Sequence, residues 1–331
     1  MIKKERALPI RLRQLMALAE RIDPRWPDLS KITKDLSNQQ AGYHGEQYLD
    51  AITSPFLSPH FHTFRDLKLS VFHGTETIQI DQLHLTPHFA LIIEAKNITG
   101  EIEFEQKFKQ MRRMKDDEVQ YFTNPTLQVE RQKEGLQLLF DGWGITLPIY
   151  TQVVFTSSNV YFTVTDEYEE VRDTVCKSDQ ITSRIRRMLL QNKETVLTKR
   201  QLTSLCSKLL SLNVQDEWRS VVSRYGLEEW SIQKGVWCVE CKTFSMVRGN
   251  RSWACTRCNR WDRHAHQKAL DDYFLLMSPS LTNRDARAFL GLDCNRTTHG
   301  LLKAMNLKHT GKTYNRVYLS PFHRIGGAGE G

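Results

Sequence analysis

The chain has no run approaching the roughly 18 consecutive apolar residues that a membrane-spanning helix needs, although 40% of its 331 residues are hydrophobic. Its N-terminus, MIKKERALPIRLRQLMALAERI, spreads charges among the apolar positions and lacks the continuous apolar stretch of a secretory signal. Internal repeats and low-complexity tracts are missing as well, which speaks against solenoids and fibrous or disordered chains. These absences, with 25% charged residues, predict a soluble globular protein of the cytoplasm. The length exceeds what one ordinary core covers and predicts two or three domains.

Acidic residues are scarce in one region only. Residues 1–232 hold 30 Lys+Arg against 31 Asp+Glu, a net of −1, and residues 233–331 hold 16 against 7, a net of +9. The whole excess of +8, and the sequence pI near 9.1, therefore come from the last 99 residues. Such an excess predicts an anionic partner for that region.

Apolar spacing divides the chain further. Residues 1–37 read as a helical extension and 38–56 as a glycine-containing polar segment leading into a helix. From Phe61 to Val154 short β-branched and aromatic runs predict strands, broken by one helix near 125–140. Residues 178–230 read as helical, four cysteines occupy 238–258, and 264–320 form a last compact unit. The expected domains are 1–37, 38–175, 176–232 as a helical connector, 233–262, 263–322, and 323–331 as a flexible tail.

The segment TIQIDQLHLTPHFALIIEAKNITG, residues 77–100, carries the most chemistry. Two extended runs flank a turn at Thr86-Pro87-His88. In a symmetric hairpin, residues whose numbers sum to 175 face each other, so Asp81 meets Glu94 across the strands. Lys96 stands two positions beyond Glu94 and points to the same face. Two carboxylates amid apolar neighbours repel each other, and a divalent cation relieves that repulsion. Mg²⁺ prefers oxygen ligands and is commonly held by one or two carboxylates plus substrate phosphate. An Asp/Glu/Lys network on a solvent-facing sheet is the plainer alternative. Nearby, Glu46 follows Gly42 and Gly45 close to an expected helix start. Asn124-Pro125 opens a helix on which Gln128 and Arg131 lie three apart, with Gln132 one turn on from Gln128.

The ordered set GE at 45–46, QIDQL at 79–83, IIEAKNITG at 92–100 and NPTLQVERQ at 124–132 resembles the nuclease-related domain (NERD) family, over roughly residues 38–160. That family is similar in its core to the PD-(D/E)xK nucleases, which implies an α/β (α+β) fold and metal-dependent hydrolysis of DNA phosphodiesters. Carried over position by position, the resemblance implies that Asp81 and Glu94 bind Mg²⁺ or Mn²⁺ and that Lys96 is the catalytic lysine. Glu46 would complete the acidic cluster and Gln128 would lie near phosphate or water. Ile80 stands where the superfamily usually has proline before the first carboxylate.

Cys238-x2-Cys241-x13-Cys255-x2-Cys258 supplies two CxxC knuckles, the pattern of a closed tetrahedral site for one structural Zn²⁺ in a small β ribbon. The alternatives are two disulfides, disfavoured in the cytoplasm, and an iron–sulfur cluster, which fits the spacing as well; four thiolates leave no open position for catalysis. Trp237, Lys242, Phe244, Arg248, Arg251, Trp253, Arg257, Arg260 and Trp261 intersperse the ribbon with the basic and aromatic groups that suit nucleic acid. Cys176, Cys206 and Cys294 read as reduced, buried small residues, and His264 and His266 as spare candidates that are not favoured as ligands.

After Gln267, a helix ending before Pro279 is followed by two more joined by a short turn, with Thr282 or Asn283 as cap and Gly291 as terminator. Asp293 or Asn295 opens the second, whose outer face carries Arg296, His299, Gly300 and Lys303. A hairpin turning near Thr310-Gly311 adds Lys308, Lys312 and Arg316. This resembles a winged helix-turn-helix domain, which implies DNA contact. The sequence thus predicts a nuclease whose basic C-terminal part grips DNA. A non-catalytic DNA-binding regulator is the main rival and a protein-assembly module the third. A homodimer and an ATPase or helicase partner stay open.

Overall fold

The computed structural model describes residues 1–164 and 169–322; the expected tail, 323–331, lies outside them. The chain forms two compact units, Met1–Ala7 with Gln40–Val214, and Leu8–Gln39 with everything from Gln215 onward. Residues 1–37 and 176–232 are therefore each split between units instead of forming an extension and a connector. The charge follows this division: the first unit has 22 Lys+Arg and 23 Asp+Glu, the second 24 and 15.

Residues 1–37 are not helical throughout. The chain opens as a short strand, β1 (Ile2–Lys4), before α1 (Ile10–Arg21), and α2 (Leu29–Thr53) runs through Gly42 and Gly45 without a break. In the first unit β1 edges a six-stranded sheet of order β1-β2-β3-β4-β8-β10. Its other members are β2 (His62–Val71), β3 (Glu76–Leu85), β4 (Ala90–Lys96), β8 (Ile149–Phe155) and β10 (Val175–Lys177). β2, β3 and β4 are antiparallel, whereas β1, β8 and β10 join in parallel. A second sheet, β7-β6-β5-β9, is built from β5 (Gly100–Glu105), β6 (Gln110–Lys115), β7 (Glu118–Thr123) and β9 (Val160–Val164). Among the described residues, the helices after β7 in this unit are α3 (Pro125–Gly142), α4 (Glu169–Thr174), α5 (Ser178–Gln191) and α6 (Lys199–Ser211).

β4 explains the unbroken apolar run before Glu94. Ala90 and Ile92 pack in one core with Val129, Leu136 and Phe140 of α3, while Leu91 and Ile93 pack in another with Leu49 of α2 and Ile181 and Ile185 of α5. A strand covered on both faces reads as continuous hydrophobicity instead of alternation. The neighbouring pair of strands does something the alternation does not predict. Phe64 and Leu67, like Ile80 and Leu83, share one core although each pair is an odd number apart. The faces exchange where Asp66, with φ 51°, stands opposite Asp81 and the ladder skips that pair. Aspartate tolerates this left-handed conformation better than most residues.

In the second unit, residues 215–231 are mostly irregular, with one short helix, α7 (Val221–Arg224), instead of the continuous helix expected to 230. A four-stranded antiparallel sheet follows, of β11 (Val236–Cys238), β12 (Thr243–Arg248), β13 (Trp253–Cys255) and β14 (Trp261–Asp262). Next come α8 (Ala265–Leu276), β15 (Ser280–Thr282), α9 (Asn283–Leu290), α10 (Asn295–Ala304), β16 (His309–Thr310) and β17 (Val317–Leu319), with sheet order β15-β17-β16. Thr282 caps α9 in a capping box with Asp285, and Gly291 ends it with φ 70°. Cys294, not Asp293 or Asn295, is the N-cap of α10. The β16–β17 connection is longer than a tight turn, because a 3-10 turn over Thr313–Asn315 intervenes. Arg21 ties this unit together: fully buried, it donates to Asp272 of α8 at 2.7 Å and to the Gln233 carbonyl at 2.7 Å. Its guanidinium also lies 4.8 and 4.7 Å from the ring centroids of Phe244 and Phe289. Such pairing is what makes a fully buried charge tolerable. Among the described residues no helix is long and apolar enough to cross a membrane.

Candidate functional site

The β3–β4 register is the one the index sum of 175 predicts, with Gln82 opposite Ile93 and Leu85 opposite Ala90. The next pair, Asp81 and Glu94, is not a ladder pair. Instead the Asp81 carboxylate takes the Ala95 amide, with Oδ2 2.9 Å from its nitrogen. Both carboxylates are buried, Asp81 at 6% and Glu94 at 3% exposure. Burial first, then the charges of Glu94 and Glu46, pushes the Asp81 carboxyl well above its usual range, against the Ala95 amide and Arg6.

Glu94 is held by groups from two elements. Lys96 Nζ lies 2.7 Å from its Oε1, and from α3 Gln128 Nε2 donates to Oε1 at 2.7 Å and Gln132 Nε2 to Oε2 at 2.9 Å. Lys96 also donates to Gln128 Oε1 at 2.9 Å. The helix that brings these amides begins as its sequence predicts: Asn124 caps it, accepting from the Thr126 amide at 3.0 Å, and Pro125 sits at its first position. Gln132, which also donates to the Gln79 carbonyl at 2.7 Å, was visible in the sequence only as a residue one turn from Gln128. Arg131 points elsewhere, to an exposed ion pair with Glu76.

Glu46 lies inside α2, well past its start. Gly45 before it has a packing role: a Cβ there would come within 2.6 Å of Thr156 Oγ1 and 2.7 Å of Asn97 Cβ. Asn97 in turn donates to the Ala41 carbonyl at 2.7 Å, tying the end of β4 to α2. The Glu46 carboxylate meets Arg6 Nη1 at 2.5 Å. Arg6 also donates through Nε to Asp50 Oδ2 at 2.8 Å and through Nη2 to the Asp81 carbonyl at 2.8 Å. Burial, with Asp66, Glu94 and Asp50, raises the Glu46 carboxyl beyond what Arg6 offsets. Burial opposes the charge on Arg6, yet its hydrogen bond to Asp50 and the charges of Glu46, Asp50 and Asp81 raise its pKa overall. From Asp50 a buried chain continues through Gln82 Nε2 at 2.6 Å and His84, whose ring lies 3.0 Å from Gln82 Oε1 and 2.9 Å from Thr63. Burial pushes His84 down to about 3, so it is neutral there. Arg6, Asp50, Gln82 and His84 escaped the sequence reading. Asp50 alone left a signal, lying one helical turn from Glu46.

The four cysteines converge as their spacing predicts. All four Sγ atoms lie within 4.8 Å of one another, positioned to bind a zinc ion, and among the described residues they are the group that closes to this degree. Each knuckle turns the same way: Lys242 (φ 51°) and Asn259 (φ 56°) follow the second cysteine in left-handed conformation, and their amides donate to the Cys238 and Cys255 carbonyls at 2.9 and 3.0 Å. The Ser245 hydroxyl, then the Cys258 and Arg257 amides, hold the Cys255 thiol down at about 6, while the Cys258 thiol, burial and Cys255 push Cys241 up to about 12. A set so close cannot ionise together without a cation among them, which is the chemistry of a metal-thiolate centre.

The expected DNA-contacting residues sort by exposure. Arg251, Arg257, Arg296, Lys303, Lys308 and Lys312 are exposed; Arg260 is exposed and paired with Glu240; Arg248, His299 and Arg316 are half-buried. Arg248 lies over the Trp253 ring at 5.6 Å, and its Nε and Nη1 are buried without a partner. Trp253, read from sequence as a surface aromatic, is 1% exposed and donates to His266 Nδ1 at 3.2 Å. His266 is thus a core residue instead of a ligand. Cys176 and Cys206 are buried, but Cys294 is exposed. Trp261 (64% exposed) keeps an open aromatic surface.

Residues 41–156, about a third of the chain, match the nuclease-related domain (NERD) family. The matched span contains Glu46, Asp81, Glu94, Lys96, Gln128 and Gln132, and excludes Arg6 and the cysteines. No curated protein and no solved structure matches the chain.

Proposed function

We propose that this nuclease-related domain is a metal-dependent DNA nuclease, served by the basic C-terminal unit as a DNA-binding part. One observation carries the reading: the buried Glu94 carboxylate has Lys96 Nζ at 2.7 Å and stands beside a buried Asp81 carboxyl that burial and its neighbours hold above its usual range. A chain gains no stability from two crowded carboxylates, and hard oxygen donors of this kind fit Mg²⁺ or Mn²⁺. Asp81 and Glu94 would hold the ion, which when bound lowers the pKa of water and stabilises negative charge on phosphate oxygens. Lys96 orients against Glu94 and supplies a fixed positive charge where the phosphodiester develops negative charge. Gln128 bridges Lys96 and Glu94, holding both in position, and Gln132 fixes the second carboxylate oxygen.

In the C-terminal unit, the order helix, strand, helix, helix, strand, strand and the sheet order β15-β17-β16 support a winged helix-turn-helix reading. α10 would then present Arg296 and Lys303, and the β16–β17 connection Lys312, to DNA phosphates. The four cysteines support one structural Zn²⁺.

A binding-only reading has one observation in its favour, since both Glu94 oxygens are already occupied by side-chain donors. Plasmid and linear DNA incubated with Mg²⁺, Mn²⁺ or EDTA separate the two. Cleavage that needs metal and falls by about 10²-fold or more in Lys96→Ala and Asp81→Ala is expected. Salt-sensitive binding without cleavage under any metal would overturn the nuclease and leave the binding protein.

A further inference from the structure

Arg6 lies outside the family match, yet its side chain is only 4% exposed and its guanidinium is shared among Glu46, Asp50 and the Asp81 carbonyl. The segment carrying it is anchored: the Met1 amine donates to the Ser58 and Phe61 carbonyls at 2.8 and 2.6 Å, and β1 pairs with β2. Five guanidinium donors in a rigid fork let one arginine hold two carboxylates at once. Glu46, 22% exposed, turns to Arg6, and among the described residues the cluster of three or more His, Cys, Asp or Glu side chains placed to hold a metal ion is the four thiols, not a set that includes Glu46. We propose that Arg6 is a positioning residue which keeps Glu46 and Asp50 in ion pairs, so that the acidic site takes one divalent cation, on Asp81 and Glu94, and not two. This rests on the metal-dependent reading above.

Without Arg6, Glu46 loses its only positive partner at hydrogen-bonding distance among the described residues, whereas Asp50 keeps Arg65, at 3.4 Å, and Gln82. An uncompensated carboxylate beside Asp81 and Glu94 is then available to a second cation.

Zinc-loaded full-length protein titrated calorimetrically with Mn²⁺, without DNA, reads the stoichiometry apart from activity. Wild type is expected to bind one Mn²⁺ per chain and Arg6→Ala two, with the second event absent from Arg6→Ala/Glu46→Gln. Arg6→Lys, which restores the charge, returns the count to one; a merely structural role for Arg6 would not produce this pattern. Should Arg6→Ala fail to fold by circular dichroism, Glu46→Gln alone decides: Mn²⁺ affinity within about twofold of wild type is expected, because Glu46 is not a ligand, and a tenfold loss overturns the proposal. Two Mn²⁺ in wild type, or one in folded Arg6→Ala, also overturns it. No Mn²⁺ binding by wild type removes the metal-site reading itself and this inference with it.

Discussion

The acidic site and the cysteine site gather their side chains from opposite kinds of source. The thiols come from one stretch, 238–258, and their two knuckles form by local turns, each with a residue in left-handed conformation after its second cysteine. The acidic site draws on residue 6, on α2, on two strands and on α3, and exists only once β3 and β4 have paired and α3 has packed on them. A locally built site is filled by its metal and contributes that binding energy to folding. A site assembled from distant parts stores electrostatic cost in a structure stabilised elsewhere.

Breaking the cysteine site has the largest expected effect. Cys238→Ser with Cys241→Ser lowers bound zinc from about one per chain to near zero by metal analysis. Structural zinc in isolated fingers is worth about 10–16 kcal/mol, so amide exchange across β11–β14 is expected to lose its protection. Bound zinc unchanged in that variant would show that the thiols are not the ligands.

Breaking the acidic site works in the other direction. In metal-free protein Asp81→Asn is expected to stabilise the fold at pH 7, on the order of 1–3 kcal/mol, the scale of a poorly compensated buried polar group. The sign follows from the raised Asp81 carboxyl. A folded-state pKa above the unfolded value of about 3.9 means stability is lost as pH rises through that interval. The gain therefore shrinks as pH falls towards about 4, and thermal melts across pH 4–8 measure it. A variant less stable than wild type at pH 7 would contradict a strained acidic site.

The smallest effect sharpens the contrast within α3. Arg131→Ala removes an exposed ion pair with Glu76 and is expected to cost under about 1 kcal/mol, with DNA cleavage within about twofold of wild type. A loss comparable to that of Lys96→Ala would place Arg131 in the site despite its orientation.

Much of this was legible beforehand, for particular reasons. The turn at Thr86-Pro87-His88 gave the hairpin register, but the double cover of β4 emerged only when α2, α3 and α5 packed against it. The CxxC spacing announced a site whose geometry is local. Other residues misled: Gly42 and Gly45 suggested a helix start, but Gly45 is small because Asn97 and Thr156 approach it. Trp253 and Arg248 looked like surface groups because composition does not say which residues of a ribbon turn inward.

What the sequence by itself determined is therefore whatever depends on near neighbours: the β3–β4 register, the helix entry at Asn124-Pro125, a cap at Thr282 or Asn283, the thiol knuckles, and the location of the positive charge. Only the tertiary structure decided that Arg6 enters the acidic cluster, that Gln132 shares Glu94 with Gln128, and that Met1–Ala7 belong to the first unit. These pairings join residues dozens of positions apart, where spacing carries no signal and only the packed sheet and helices bring the charges together.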